Sequence, residues 1–358
     1  MTGAKWWLEP PHRWLANREA ERAASDALVH LGQGDLVYSL SGGGDSTATY
    51  LYGLESGLND AWEKAGGTVR RVFMDTGWET EETYDYIDRL EDAFGAVDRI
   101  TTWVPGPNEA PPAGYALLEN VWKAPGKTME ADRHALALLF EARLGRYCPM
   151  IRLILHWGKF PTSVRKWCTA DLKLRPVIAY LAALDNPVNI IGVRAEESAK
   201  RAAQPAWEWA EDYDAWIWRP IKWWSKQDRI DIHTRFGWRP NPLYLRGTGA
   251  RRVGCRVCVN SGKEDILWIE EEIPDSLGIL ADLEDVLSTL ETPRELPGAG
   301  SPRWFTLSRD NEDWMVSVAE AVTWAHTERG GRQMSLFKPH KDPGCSAWGL
   351  CEVNLERE

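Results

Sequence analysis

The sequence predicts an α/β protein built on a doubly wound parallel sheet, with a helical C-terminal appendage. Three observations carry this. A short apolar run, Asp35–Leu40 (DLVYSL), leads straight into the glycine-rich turn Ser41–Ser46. Two more β-prone runs, Thr68–Asp75 and Val97–Trp103, alternate with stretches of helical spacing, and that alternation implies parallel crossovers. From about residue 265 the chain turns to acidic, leucine-rich helical segments and then to the Gly/Pro-rich LPGAGSPR at 296–303.

The elements follow in order. Residues 1–34 read as a helical lead-in, broken by Pro10 and Pro11, with apolar residues of Asn17–Leu31 at helical spacing. After the turn, Thr47–Leu54 reads as a helix. Thr80–Phe94 is a second, with Tyr84, Ile87, Leu90 and Phe94 on one face. Residues 104–127, rich in Pro, Gly and Ala, read as a long loop. Met129–Leu144 and Asp171–Leu184 read as helices, the latter with Pro176 in its first turns, and Asn186–Gly192 as a fourth strand. Ser225–Phe236 is a helix whose N-cap Ser225 and Asp228 resemble a capping box. The expected organisation is a lead-in over 1–34, a nucleotide-type domain over 35–265, and a C-terminal region over 266–358. Pro343, Gly344 and Gly349 predict a tail that is flexible rather than docked.

Composition bounds the function. Of 358 residues, 44% are hydrophobic and 27% charged, which marks a globular chain able to build a core without staples. The longest apolar runs, such as Val177–Leu184, fall short of the ~18 residues that span a bilayer. The N-terminal MTGAKWWLEPPHRW shows no apolar targeting run. The expectation is a cytoplasmic protein without a membrane partner, monomeric or a homo-oligomer. A net charge of −11 argues against gripping duplex DNA over the whole surface and leaves room for a local patch; Arg246, Arg251, Arg252 and Arg256 form one such stretch. The 21 tryptophans, dense between Trp207 and Trp238, read as packing rather than as a base-stacking platform.

The turn after the first strand suits an anion. Gly42, Gly43 and Gly44 let backbone N–H groups approach a phosphate closely. The helix N-terminus adds its dipole and free donors, and Ser41 and Ser46 add hydroxyls. Asp45 is out of place beside an anion, so it either caps the helix or holds a cation. No GKS or GKT follows the glycines and the spacing is not GxGxxG, which excludes the two commonest nucleotide loops.

This loop resembles SGGxDS, the signature of the PP-loop ATP pyrophosphatase superfamily, whose fold is adenine-nucleotide alpha hydrolase-like. Further segments, in order, resemble its phosphoadenosine phosphosulfate (PAPS) reductase family. Asp75-Thr76-Gly77 with Glu82-Thr83 resembles "DTG…ET", and Cys168-Thr169 with Leu172-Lys173 and Pro176 resembles "CT..LK..P". Gly192-Val193-Arg194 with Glu197-Ser198 and Arg201 resembles "GxR..ES..R". Pro220, Trp224-Ser225, Asp228 and Pro242-Leu243-Tyr244 resemble "P…WS..D…PLY", and Arg252, Gly254-Cys255 and Cys258 resemble "R.GC..C". The resemblance spans roughly 35–265. It implies a nucleotide at the carboxyl ends of the strands, as in doubly wound sheets generally. It places Asp75 and Thr76 at the ribose or base, and Lys173, Arg194 and Arg201 around the phosphates. It implies ATP, or PAPS as substrate, with Mg²⁺, and catalytic roles for Asp45, Lys173 and Arg194.

Six cysteines in such a chain point to metal or redox chemistry rather than structural disulfides. A CxxC pair such as Cys255/Cys258 aims two thiolates at one metal. Family members that reduce adenylyl sulfate set an upstream double cysteine with a downstream CxxC around a 4Fe–4S cluster. Cluster-carrying DNA-phosphorothioation sulfurtransferases of the same family look similar to this chain here. The resemblance thus implies a cluster on Cys168, Cys255 and Cys258, with Cys148 or a non-protein group as fourth ligand. Zinc is the rival reading, and three unrelated thiols the third. Sulfonucleotide reductases end in a motif like ECGLH, whose cysteine attacks sulfur. This chain ends PGCSAWGLCE from Pro343, with Cys345 and Cys351 as mobile nucleophiles or idle thiols. The leading expectation is an ATP-dependent, pyrophosphate-releasing iron–sulfur sulfurtransferase that takes sulfur from a donor to a nucleic acid or other acceptor. A PAPS or adenylyl-sulfate reductase is the second, and a non-catalytic nucleotide-binding subunit the third.

Overall fold

The computed structural model describes residues 33–110, 129–163, 165–290, 303–309, 312–328 and 342–350. The expected lead-in, all but the start of the 104–127 loop, and Cys351 lie outside the described residues.

The first strand, β1 (Asp35–Leu40), is buried along almost its whole length, as a central strand covered on both faces must be. β2 (Thr68–Asp75) lies parallel on one side and β4 (Val188–Ile191) parallel on the other. β3 (Asp98–Thr101) extends the sheet beyond β2. Beyond β4 come β6 (Ala215–Trp218), parallel, and β5 (Trp207–Ala210), antiparallel at the edge. The order is β3-β2-β1-β4-β6-β5. The chain winds outward from β1 to β3 and returns to the other side of β1 with β4, which sets the switch point between β1 and β4. Register matters there: Leu40 pairs with Phe73 and Ser39 with Ile191, so the loops after β1 and β4 leave the sheet within one residue of each other, while β2 runs two residues further, to Asp75.

The helices complete the layers. α1 (Gly44–Glu55) starts directly after the glycine turn and buries most of its first three turns. α2 (Leu58–Lys64) follows. α3 (Glu81–Phe94) buries Thr83, Tyr86, Ile87 and Leu90. Its buried face is thus rotated from the expected one, because the Tyr84 hydroxyl turns to Asp75. α4 (Ala131–Leu144) and α5 (Pro149–Trp157) form an antiparallel pair. The predicted helix at 171–184 starts earlier, at Trp167–Thr169, and passes through a π-helical turn, Ala170–Leu174, before α6 (Arg175–Leu181). Pro176 has no N–H for the carbonyl four residues back, and the ladder loosens there. α7 (Lys226–Arg235) has the predicted capping box: the Asp228 amide donates to Ser225 Oγ at 3.2 Å, and Asp228 Oδ2 accepts from the Ser225 amide at 2.7 Å.

The C-terminal region contains α8 (Lys263–Glu272), α9 (Asp275–Thr289), a hairpin of β7 (Phe305–Arg309) and β8 (Glu312–Val316), and α10 (Val318–Ala325). These elements share one hydrophobic cluster with α4 and α5: Ile151, Ile154, Leu280, Leu283 and Trp304 are all buried in it. Buried Glu284 ties it together, accepting from the Trp304 and Val318 amides. The tryptophan-rich segment packs as β5 and β6, where Trp207 stacks on Trp216. No helix among the described residues is long and apolar enough to cross a membrane.

Candidate functional site

The glycine turn sits at the carboxyl end of β1, at the switch point. Gly42 adopts φ +70°, and a side chain there would also meet Thr83 Cγ2 at 2.7 Å; only glycine fits this bend. Gly192, at the end of β4, presses on the loop so closely that a Cβ would lie 2.6 Å from the Asp45 carbonyl carbon. The loop amides rest on hydroxyls. The Ser41 amide donates to Ser46 Oγ at 3.1 Å, the Gly43 amide to Ser41 Oγ at 3.4 Å, and the Gly44 amide to the Tyr244 hydroxyl at 3.1 Å. His233 bridges the Gly44 and Trp238 carbonyls, and burial lowers its pKa.

Asp45 neither caps α1, whose N-cap is Gly43 with no side-chain cap bond, nor stands ready for a cation. Its Oδ1 accepts from Arg194 Nε at 2.7 Å and lies 3.5 Å from Arg229 Nη1. Two guanidinium groups already neutralise it, so the acid beside the loop is accounted for by ion pairs rather than by the expected cap or cation. Arg194 is buried and also pairs with Glu196. Arg201 pairs with Glu197, and burial, with Arg252 and Arg194 nearby, depresses its pKa.

Asp75 and Thr76 stand at the end of β2, as expected, but their side chains turn into the fold. Asp75 Oδ1 accepts from the Tyr84 hydroxyl at 2.7 Å and the Gly77 amide at 2.8 Å. The Thr76 hydroxyl donates to Glu79. Burial raises the pKa of both carboxyl groups, Asp75 and Glu79. These side chains shape the loop: Asp75 is turned inward, while Thr76, bonded to Glu79, also lines a cavity.

A cavity of 570 Å³ runs from Ser41 and Thr76 past Lys173 to Cys168, Cys255 and Cys258, walled by the segment Thr248–Gly254. The three thiols named from the sequence thus share one cavity with the loop. Glu79 and Cys255 form an isolated backbone bridge that holds the cysteine segment against the end of β2. Lys173, in the π-helical turn, points its ammonium at Cys255 Sγ, 3.8 Å away. Burial pushes the Cys255 thiol up to about 12, against the pull of Lys173, and raises Cys168 as well.

Cys148 does not join them. It is the N-cap of α5, fully buried in the core cluster, with Sγ facing the Thr76 carbonyl at 4.0 Å. It lines none of the cavity, so the fourth-ligand expectation is corrected. Among the described residues no three His, Cys, Asp or Glu stand close enough to hold a single metal ion.

The basic stretch is largely neutralised: Arg246 pairs with Glu82, Arg256 with Glu81, and Arg251 weakly with Glu264 and Asp265. Arg252 and Lys166 line the cavity and enter no ion pair among the described residues.

The tail reverses the expectation of an undocked segment. Residues 342–350 carry a short helix, Gly344–Ala347, and Trp348 is 5% exposed. It packs with Ile230 and Tyr244 beside the loop. Cys345 is disulfide-bonded rather than a free thiol. The sequence reading missed Arg229 and Trp348; the only signal was that a buried Arg on α7 needs a partner.

Fold and site define a nucleotide-loop α/β protein with the loop at the switch point of a mostly parallel sheet. Comparisons place it. Residues 155–261 match the phosphoadenosine phosphosulfate reductase domain. A protein of Escherichia phage 186, described as an uncharacterized 37.8 kDa protein in the gpa 5' region, is 30% identical over 342 residues, 88% of this chain and 96% of that protein. Among solved structures, the PAPS reductase of Candida auris in a phosphate complex is 16% identical, over 64% of this chain and 85% of that one, with a TM-score of 0.35. The FMN adenylyltransferase of Candida glabrata with FMN and AMPCPP is 12% identical, over 70% and 67%, with a TM-score of 0.33. The chain as a whole belongs to one family with the phage protein, and residues 155–261 carry the match to the phosphoadenosine phosphosulfate reductase domain.

Proposed function

We propose that this protein is an ATP-dependent, pyrophosphate-releasing sulfurtransferase carrying an iron–sulfur cluster. The observation that supports this most is the continuous cavity from Ser41 on the loop to Cys168, Cys255 and Cys258. A nucleotide at one end and a sulfur centre at the other would share one open cavity.

The nucleotide end is built for a polyphosphate. Loop amides that now rest on hydroxyls have anionic oxygens as stronger acceptors. Arg252 and Lys166 bring positive charge to the cavity, and Arg194 and Arg201 add potential behind the loop. Mg²⁺ enters with the polyphosphate, its habitual ligand. The donor set at the other end suits a cluster: three thiols, Cys168, Cys255 and Cys258, line one cavity. Zinc needs its donors converging on a single ion; a cluster takes thiolates arranged around it. Bound by Cys168, Cys255 and Cys258, a 4Fe–4S group would leave one iron without a protein ligand, a place for exogenous sulfur.

In the reaction an acceptor oxygen attacks the α-phosphorus, and pyrophosphate leaves with the electron pair of the broken P–O bond. A sulfur nucleophile then displaces AMP from the adenylated acceptor. The loop amides stabilise charge on the phosphates, and Lys173 holds a cation between the two ends of the cavity. The acceptor is a nucleic acid or another hydroxyl or oxo compound. The reductase reading needs a free nucleophilic tail thiol, and Cys345 would have to be reduced to supply one. The test offers ATP with candidate acceptors, and PAPS with a thiol reductant, to the anaerobically purified protein. AMP and pyrophosphate from ATP support the proposal; sulfite from PAPS supports the reductase.

A further inference from the structure

Arg229 is the least compensated buried cation beside the loop. It is 5% exposed. Its ion pair with Asp45 is long, 3.5 Å, and Asp45 is held more closely by Arg194. Its Nε is buried with no hydrogen-bond partner among the described residues. A buried guanidinium with an unfilled donor carries a free-energy cost that an anion nearby relieves. The place where an anion is expected is next to it: a Cβ on Gly44, at the N-terminus of α1, would lie 3.2 Å from Arg229 Cδ.

The same point is touched by the tail. Trp348 Cη2 would lie 3.3 Å from that Cβ. The guanidinium lies over two neighbouring aromatic rings, 4.9 Å from the Trp348 centroid and 5.5 Å from the Tyr244 centroid. Tyr244 in turn accepts the Gly44 amide. The tail backbone docks as well, the Gly344 amide donating to the Gly247 carbonyl at 2.9 Å.

We propose that Arg229 and Trp348 are positioning residues of the nucleotide loop: the segment 342–350 closes one side of the loop and holds the guanidinium beside Gly44 and Asp45 for the phosphates. This rests on the nucleotide reading above. A tail thiol plays no part in it.

The test titrates a non-hydrolysable ATP analogue, and separately adenosine, into the full chain by calorimetry. Wild type, Trp348→Phe, Trp348→Ala, Arg229→Gln and the Trp348→Ala/Arg229→Gln double variant are compared. Loss of a desolvated cation–π contact predicts that Trp348→Ala weakens the analogue about tenfold or more. Trp348→Phe, which keeps a ring face, stays near wild type. Adenosine, lacking phosphates, binds all variants alike, and the double variant is no weaker than the worse single one. Unchanged analogue affinity in Trp348→Ala, a parallel loss for adenosine, or additive losses in the double variant overturn the inference. If Trp348→Ala fails to fold, Trp348→Leu carries the test with the same thresholds. A wild type that binds no analogue refutes the nucleotide reading itself, and this inference with it.

Discussion

Removing the Asp45 carboxylate should cost stability as well as nucleotide affinity. In Asp45→Ala, among the described residues, buried Arg194 keeps only Glu196, whose side chain is 44% exposed, and Arg229 loses its one ion pair. Breaking a fully buried pair costs about 3–5 kcal/mol. Asp45 is 17% exposed and Arg194 retains a partner, so about 2–3 kcal/mol is expected here. That lowers the melting temperature by roughly 3–4 °C for a chain of this size. Asp45→Asn keeps the shape and one acceptor oxygen and should fall between. The assay is denaturant unfolding paired with differential scanning calorimetry at neutral pH, followed by titration of the ATP analogue into the folded variant. Asp45→Ala melting and binding like wild type would refute the account of Asp45 as the common anchor of two arginines.

Other consequences are as direct. Cys255→Ser and Cys258→Ser should each bleach the broad absorption near ~400 nm expected of an iron–sulfur chromophore in anaerobically purified protein; colourless wild type with stoichiometric zinc would replace the cluster by a zinc site. Gly192→Ala drives a methyl into the Asp45 backbone and should cost about 1–3 kcal/mol, as overpacking does, read as a lower denaturant midpoint. His233, whose pKa burial lowers, contributes stability present above its unfolded value of about 6.5 and lost as pH falls through the lower folded value. Melting temperature against pH should therefore slope downward below about 6.5 in wild type, and less in His233→Gln; equal slopes would remove His233 from that role. A chain ending at residue 340 should lose affinity for the ATP analogue, since Trp348 goes with the tail; retained affinity would make the docked tail dispensable.

The central sheet and the loop were legible because their signals are local. DLVYSL followed by SGGGDS specifies strand, turn and helix within one contiguous stretch, and Ser225 with Asp228 specifies a cap within four residues. The three thiols were also legible, through CxxC spacing and an ordered set of family segments. What escaped were features decided by distant partners. Asp45 looked like a cap or cation ligand because Arg194 and Arg229 lie far along the chain. The strands β5 and β6 hid within a tryptophan-rich stretch, since WEWA and AWIW read equally as general packing. α5, whose run PMIRLIL is apolar but for the buried Arg152, has no polar face to reveal a helical period. Cys148 seemed available as a ligand until its N-cap position turned it into the core. Pro343, Gly344 and Gly349 suggested mobility, yet the glycine at 344 allows the tail backbone to approach Gly249 and dock.

The most direct test of the central claim measures small-molecule products from one anaerobic preparation. The protein is incubated with ATP, Mg²⁺, a sulfide source and a panel of nucleic-acid and small-molecule acceptors, and in parallel with PAPS and a thiol reductant. The account predicts AMP and pyrophosphate in equal amounts with one acceptor, abolished by Ser46→Ala, and no sulfite from PAPS. Sulfite from PAPS without pyrophosphate release from ATP would contradict it.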